Sequence, residues 1–312
     1  LNLFQPAVDF LEQKTGRTVF GVVPYFQGFR IQEEDTIPED RSAAEDVTEN
    51  EWLDIAVVHL PHISNFTDFD PLEGEPDVRL SYVVRGNQLD RPDLIIIPGS
   101  KNTIDDLYFL RRSGLAARIA DLSKSGTPVI GICGGFQMLG NELNDPLHAE
   151  SAISHIEGLQ LLNISTTFYS EKVTTQVKAE VIGVGPLLTG SEESRISGYE
   201  IHMGKTALAP DVYPAFKIVE SSGRGVNSPD GAISRDGLVF GTYIHGIFDS
   251  NEFRRQVLNN LRVKKGLLPL APAASIPAFT QRNKDLDKLA ALVRGSLDME
   301  KIYAVMGLKK SN

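Results

Sequence analysis

From Trp52 onward the chain alternates short β-branched runs with stretches whose apolar residues recur every three or four positions. Strands are predicted over 54–59, 78–83, 94–98 and 128–132, and the spacing of Leu107, Leu110, Leu115, Ile119 and Leu122 predicts a helix over 103–125. Residues 68–72 read as a loop or short helix. The runs 94–97 and 129–132 are apolar without alternation, which is how a strand covered on both faces reads. Strand and helix in turn predict an α/β fold, a mostly parallel sheet flanked by helices, with functional groups at the C-terminal ends of its strands.

The rhythm changes over 158–241, where Thr, Val and Gly are richer and GVG, SSGRG and SPDG mark turns. This region reads as an antiparallel extension of the α/β body, with helix returning over 251–264. At the start, a helix over 6–14 and a strand over 18–24 precede the acidic stretch IQEEDTIPED and the polar stretch RSAAEDVTEN, a candidate linker. After a Pro/Ala-rich connector from Ala271, helical spacing resumes at Leu286, Leu289, Leu292 and Val293, then at Ile302 and Met306. The expected organisation is a leading segment 1–46, a main domain 47–270 and a helical tail 271–312. The chain opens on Leu1 inside a helical pattern, so it reads as a piece of a longer protein.

Composition narrows the classes. A hydrophobic fraction of 41% and a charged fraction of 23% over 312 residues belong to an ordinary globular chain with one large or two modest domains. A net charge of −10 works against nucleic acid or anionic lipid as main partner. The longest apolar runs fall far short of the ~20 residues a membrane helix needs, and residues 1–10 lack the pattern of a signal peptide. A single cysteine excludes an internal disulfide and a multi-thiolate metal site, and predicts a reducing, cytoplasmic setting.

That cysteine lies in Val129-Ile130-Gly131-Ile132-Cys133-Gly134-Gly135-Phe136-Gln137, directly after a buried strand and directly before an apparent helix. A lone cysteine is often just a small buried hydrophobe. Three glycines around it favour a nucleophile instead, because a sharp strand-to-helix turn exposes the side chain and needs small neighbours. The helix start favours thiolate, and the Gly134 amide is placed to donate to an oxyanion. Gly99, in the similar strand-to-helix run IIIPGSKNT, offers a second amide, with Asn102 or Thr103 capping its helix.

A thiol nucleophile needs a base, and six histidines compete: His59, His62, His148, His155, His202 and His245. His245 ends an apolar strand, LVFGTYIH, and is followed by glycine and a helix, so it is expected at a sheet end within reach of Cys133. His202, in GYEIHMG beside Tyr199 and Glu200, reads as a substrate-side or a structural residue. An acid two residues past the histidine often orients it, but that position is Ile247; Asp249 and Glu200 are the substitutes.

GICGGFQMLG and YIHGIFD resemble the class I glutamine amidotransferases, and within them the cobyric and cobyrinic acid synthase group. LPHISNFTDFDPL, IIIPGSKNTIDDL and SGYEIHMGKT narrow the resemblance to the cobyric acid synthase type, nearly continuously from residue 1 to about 300. The resemblance implies Cys133 as thioester-forming nucleophile, His245 as base and later acid, Gly99 and Gly134 at the oxyanion, and Gln137 on the glutamine; Tyr199, Glu200 and His202 are expected to bind substrate beside it. It also implies a Cys-His dyad without an acid, and no metal site in this chain. Residues 1–46 look like the end of an ATP-dependent synthetase domain. ATP, Mg2+ and cobyrinic acid a,c-diamide are then expected on that other half, since no GxxxxGK[ST] occurs here. The competing readings are a fold-preserving regulatory module and another cysteine amide hydrolase.

Overall fold

The computed structural model describes residues 3–25, 51–192, 194–272 and 278–308. The acidic stretch 31–40, the candidate linker 41–50 and residues 273–277 of the Pro/Ala-rich connector lie outside the described residues. The chain divides into two compact units, Glu33–Ala278 and a smaller one made of Leu1–Gln32 with Phe279–Asn312.

The smaller unit opens with helix α1 (Gln5–Thr15), which starts at a proline in its first turn and stops at Gly16 with φ 63°. In the main unit, β1 (Leu53–Val58) is followed by the short β2 (Ile63–Ser64), a 3-10 turn over Phe66–Phe69 and helix α2 (Asp70–Glu73). Strands β3 (Val78–Val83), β4 (Leu94–Ile97) and β5 (Gly99–Ser100) lead to helices α3 (Thr103–Arg112) and α4 (Leu115–Lys124). The single helix predicted over 103–125 is thus two. Its break at Gly114, φ 76°, lies against the loop at Gly86, whose amide donates to Ser113 O at 3.1 Å. Strand β6 (Val129–Ile132) then runs straight into helix α5 (Gly134–Met138).

The second half supplies β7 (Glu142–Asn144), β8 (His155–Glu157), the long β9 (Ile164–Val181) and β10 (Arg195–Leu208), then β11 (Phe216–Ser221) and β12 (Arg224–Asp230). It closes with β13 (Ala232–Ile233), β14 (Val239–Thr242), β15 (Ile244–His245) and helix α6 (Asn251–Lys265). One six-stranded sheet has the order β13-β14-β6-β4-β1-β3 and is parallel except at its β13 edge.

Successive residues of its central strands serve opposite faces. Leu94 and Ile96 pack on one side with Phe253 and Val257 of α6, whereas Ile95 and Ile97 pack on the other with Leu107, Leu110 and Ile119 of α3 and α4. This is why those strands show no alternation in the sequence. Each such side chain removed entirely from water contributes about 1.5–3 kcal/mol.

The second sheet, β12-β11-β9-β10-β15, is antiparallel, with β7 paired parallel to β9 at its flank. The predicted strand ending at His245 is split between the two sheets. β14 lies parallel to β6, but after Tyr243 the chain crosses over and β15 pairs with β10, Tyr199 opposite His245. Buried Asp230 fixes the crossover, accepting the Thr242 hydroxyl and the Tyr243 amide, the latter at 3.1 Å.

Helices α7 (Ala278–Ser296) and α8 (Met299–Val305) belong to the smaller unit with α1. The strand predicted over 18–24 is a single bridge, Gly21 to Leu297, reinforced by the Asp298 amide donating to Phe20 O at 2.7 Å. An apolar run without a partner strand makes no ladder. Among the described residues no helix is long and apolar enough to cross a membrane.

Candidate active site

Cys133 is the single residue between β6 and α5, at φ 51° and ψ −110°. A side chain held there costs of order 1–3 kcal/mol and persists only where the surroundings over-determine it. They do: the Cys133 amide donates to Thr242 O at 2.8 Å, and the Gln137 amide donates to Cys133 O at 3.1 Å. Gly135 is required by close approach, because a Cβ there would overlap the Ile97 carbonyl. The thiol is 6% exposed and donates to Ile201 O of β10 at 3.3 Å. It is therefore roofed by a polar backbone group, although the side chain also borders the apolar cluster beneath the sheet.

His245, 1% exposed, reaches the thiol from β15. Its Nδ1 lies 2.7 Å from Asp68 Oδ2, and the Gly246 amide donates to Asp68 Oδ1 at 2.9 Å. An ionised carboxylate only accepts, so Nδ1 carries the hydrogen and Nε2 is left for Cys133. Burial alone would depress the imidazolium. The charge and hydrogen bond of Asp68, joined by those of Cys133, override it and push the His245 pKa up to about 10. Tyr199 stacks on the imidazole at 5.3 Å and 19°, its hydroxyl accepting from Asn65 Nδ2 at 2.9 Å.

The acid that sequence reasoning missed is Asp68, and the dyad it implied is corrected to three groups in line. Neither proposed substitute takes the place: Glu200 faces His202 at 3.8 Å, and the Asp249 carboxylate folds back toward Gly246. Asp68 arrives from the 3-10 turn ahead of α2, 177 positions from His245 along the chain. Its only local signal was its presence in the LPHISNFTDFDPL stretch.

The other predicted residues are drawn toward the same turn in different ways. Gly99 packs on the imidazole, where an added Cβ would come within 3.0 Å of His245 Cε1. It is Ser100 whose amide borders Gly134, 2.9 Å from the position a Gly134 Cβ would take. The amides of Gly134 and Gly135 open α5, where no earlier turn can accept them. Gln137 is 2% exposed, with its amide spent on Met203 O at 2.9 Å, Tyr243 Oη at 3.2 Å and Thr103 Oγ1 at 3.3 Å. It therefore anchors α5 to β10 rather than presenting a free amide.

His202 stacks on Tyr243 at 3.8 Å, with a buried, unpartnered Nδ1. Glu150, also missed, accepts the Thr103 amide through Oε1 and leaves a buried Oε2 without a partner. Burial, reinforced by the charges of Asp145 and Asp106, raises its pKa to about 7 against the pull of Thr103. Among the described residues no group of three His, Cys, Asp or Glu side chains is arranged to hold a metal ion.

Residues 54–253 match the CobB/CobQ-like glutamine amidotransferase domain. The chain is 46% identical to cobyric acid synthase from Moorella thermoacetica over 99% of its own length and 59% of the relative's. It is likewise 46% identical to cobyric acid synthase from Pelotomaculum thermopropionicum, over 98% of this chain and 58% of that one. The chain thus spans under three fifths of the curated relatives it matches. Among solved structures, PurLQS from Thermotoga maritima superposes with a TM-score of 0.53 at 24% identity, covering 67% of this chain and 99% of that one; this likeness concerns the fold.

Proposed function

Because the chain belongs to the CobB/CobQ-like glutamine amidotransferase domain family, we propose that it is the glutamine-hydrolysing part of a cobyric acid synthase. The single observation that carries the reading is the strained Cys133 turn facing an imidazole held by Asp68. In the proposed cycle the Cys133 sulfur attacks the side-chain carbonyl of glutamine, and the oxyanion is met by amides of the Gly134 and Ser100 turns. The His245 imidazolium gives its proton to the departing nitrogen, so ammonia leaves and a glutamyl thioester remains. Imidazole then takes a proton from water, hydroxide adds to the thioester, and glutamate and the thiol are regenerated. The balance is glutamine plus water to glutamate plus ammonia.

Two features support free glutamine over a peptide amide. The unpartnered Glu150 oxygen, linked through Thr103 to the Gly134 turn, offers an acceptor for an α-ammonium group, and that cation would favour the ionised carboxylate which burial alone disfavours. The polar segment Tyr199–His202 of β10 roofs the thiol, and its carbonyl at Ile201 must yield to an incoming substrate. The intact alignment of Cys133, His245 and Asp68 speaks against a regulatory module that has lost its chemistry.

We further propose, from the sequence resemblance, that the ammonia serves an ATP- and Mg2+-dependent amidation of cobyrinic acid a,c-diamide on the synthetase half of the enzyme. We place the chain in the cytoplasm, a reducing compartment in which a lone thiol stays free. The test is Cys133→Ala in the full-length enzyme: glutamine-dependent amidation should vanish while ammonia-dependent amidation persists. Glutamine-dependent turnover surviving the substitution overturns the assignment.

A further inference from the structure

Asp68 and His245 meet although they lie far apart in the chain, on a short turn and a two-residue strand that have little rigidity of their own. A second, buried connection joins the same two segments. Arg254, on the first turn of α6, is fully buried. Its Nε donates to Glu75 Oε1 at 2.5 Å, and Glu75 closes the segment that carries Asp68. Its Nη1 donates to Phe248 O at 2.5 Å, three residues beyond His245, and its Nη2 donates to Asn251 Oδ1 at 2.9 Å. One rigid guanidinium thus grips both deliveries at once. Behind it, Arg255 holds Glu75 Oε2 at 3.0 Å and Asp77 at 2.8 Å, fixing the far side of the same carboxylate.

Removing this many charges from water is costly, and apolar side chains of similar volume often serve stability as well or better. Buried ion networks are best attested where they fix register. Here the register concerned is that of two chain segments whose relative position sets one 2.7 Å contact.

We propose that Arg254, through Glu75 and the Phe248 carbonyl, is a positioning residue that holds Asp68 against His245 and so keeps the imidazole protonated for ammonia release. The inference rests on the glutaminase reading for its consequence, but its geometry stands apart from it. The groups that face the imidazole are Asp68 from the 3-10 turn, Cys133 from the start of α5 and Tyr199 from β10, with Asp249 near Gly246 on the following turn. The guanidinium bonds of Arg254 go instead to Glu75, Phe248 and Asn251, so its hold on the imidazole passes through the segments it clamps.

The experiment uses the 312-residue chain and two variants, Arg254→Lys and the paired Arg254→Met/Glu75→Leu. The first keeps charge but lacks the planar fork; the second replaces the pair with hydrocarbon and leaves Arg255 its Asp77 partner. The readouts are NMR titration of the His245 imidazole, and kcat and KM for glutamine hydrolysis across pH. In both folded variants the imidazole midpoint should fall by about a pH unit or more, the alkaline limb of the kcat profile should move down by the same amount so that kcat drops roughly tenfold above the wild-type midpoint, and KM should change less than about threefold. An imidazole midpoint equal to wild type in a folded variant overturns the proposal. If neither variant folds, the network is a stability element and the proposal also falls. A full-length wild-type enzyme that titrates as described yet hydrolyses no glutamine would sink the reaction and leave the clamp standing.

Discussion

Asp68→Asn removes one charge and keeps the shape. The asparagine can still accept the Gly246 amide through Oδ1, so the turn should survive. What is lost is the carboxylate at 2.7 Å that holds the Nδ1 hydrogen. The gap between the ordinary 6.5 and about 10 corresponds to roughly 5 kcal/mol, at about 1.4 kcal/mol per decade, and it is net of an opposing burial cost. With the carboxylate gone, that burial cost acts against only the weaker pull of Cys133. The imidazole should then titrate below about 7, and slightly above neutral pH it should be uncharged and free to adopt the wrong tautomer. By the precedent of orienting carboxylates, kcat should fall roughly 10³-fold. His245 also links to stability. Its folded value lies above its unfolded one, so its contribution is complete below about 6.5 and is lost as pH rises toward about 10. Denaturant midpoints of the wild type should decline across that window, and those of Asp68→Asn should decline much less. An Asp68→Asn enzyme within about threefold of wild-type kcat, with an unmoved imidazole midpoint, would refute the reasoning.

Three further outcomes are expected. Asp230, fully buried and raised to about 7 chiefly by desolvation, favours folding at acid pH and loses that contribution as pH rises from 3.8 through 7. Asp230→Asn should therefore gain on the order of 2–4 kcal/mol at about pH 8 and nothing at about pH 4, read by urea denaturation at both values; an equal effect at both would contradict the burial argument. Gly135→Ala drives a methyl into the Ile97 carbonyl, so soluble yield should collapse or stability fall by about 3 kcal/mol or more, whereas unchanged thermal unfolding would mean that the turn has slack. Tyr199→Phe keeps the stack on His245 and loses only the Asn65 hydrogen bond, so kcat should stay within about threefold, while Tyr199→Ala should lower it roughly tenfold or more; equal effects would deny the stack a role.

The local features of this molecule were legible in its residues. Strands β1, β3, β4 and β6, helix α6 and the Cys133 turn follow from short-range periods and from glycines that permit close approach. Features that depend on a distant partner were not. The run TVFGVVP has strand composition, but whether it pairs depends on what lies beside it, and only Gly21 found a bridge. The break at Gly114 depends on the loop at Gly86, and the strand switch at Tyr243 depends on Asp230.

Asp68 is the sharpest case. One aspartate among many in an acidic chain has no period to mark it, and its contact with His245 exists only because two remote segments are brought to one edge. Gln137 shows the converse: its motif was recognised, yet its side chain is consumed by packing bonds that no local pattern discloses.

The most direct measurement is capture of the proposed nucleophile with a glutamine analogue bearing an electrophilic carbon in place of the side-chain amide, followed by peptide mass spectrometry. A single adduct on Cys133 is predicted, slowed by excess glutamine and lost in His245→Ala. Labelling that ignores glutamine, or full glutamine hydrolysis by protein whose Cys133 is completely converted to the adduct, would contradict the claim that this thiol and this imidazole perform the chemistry.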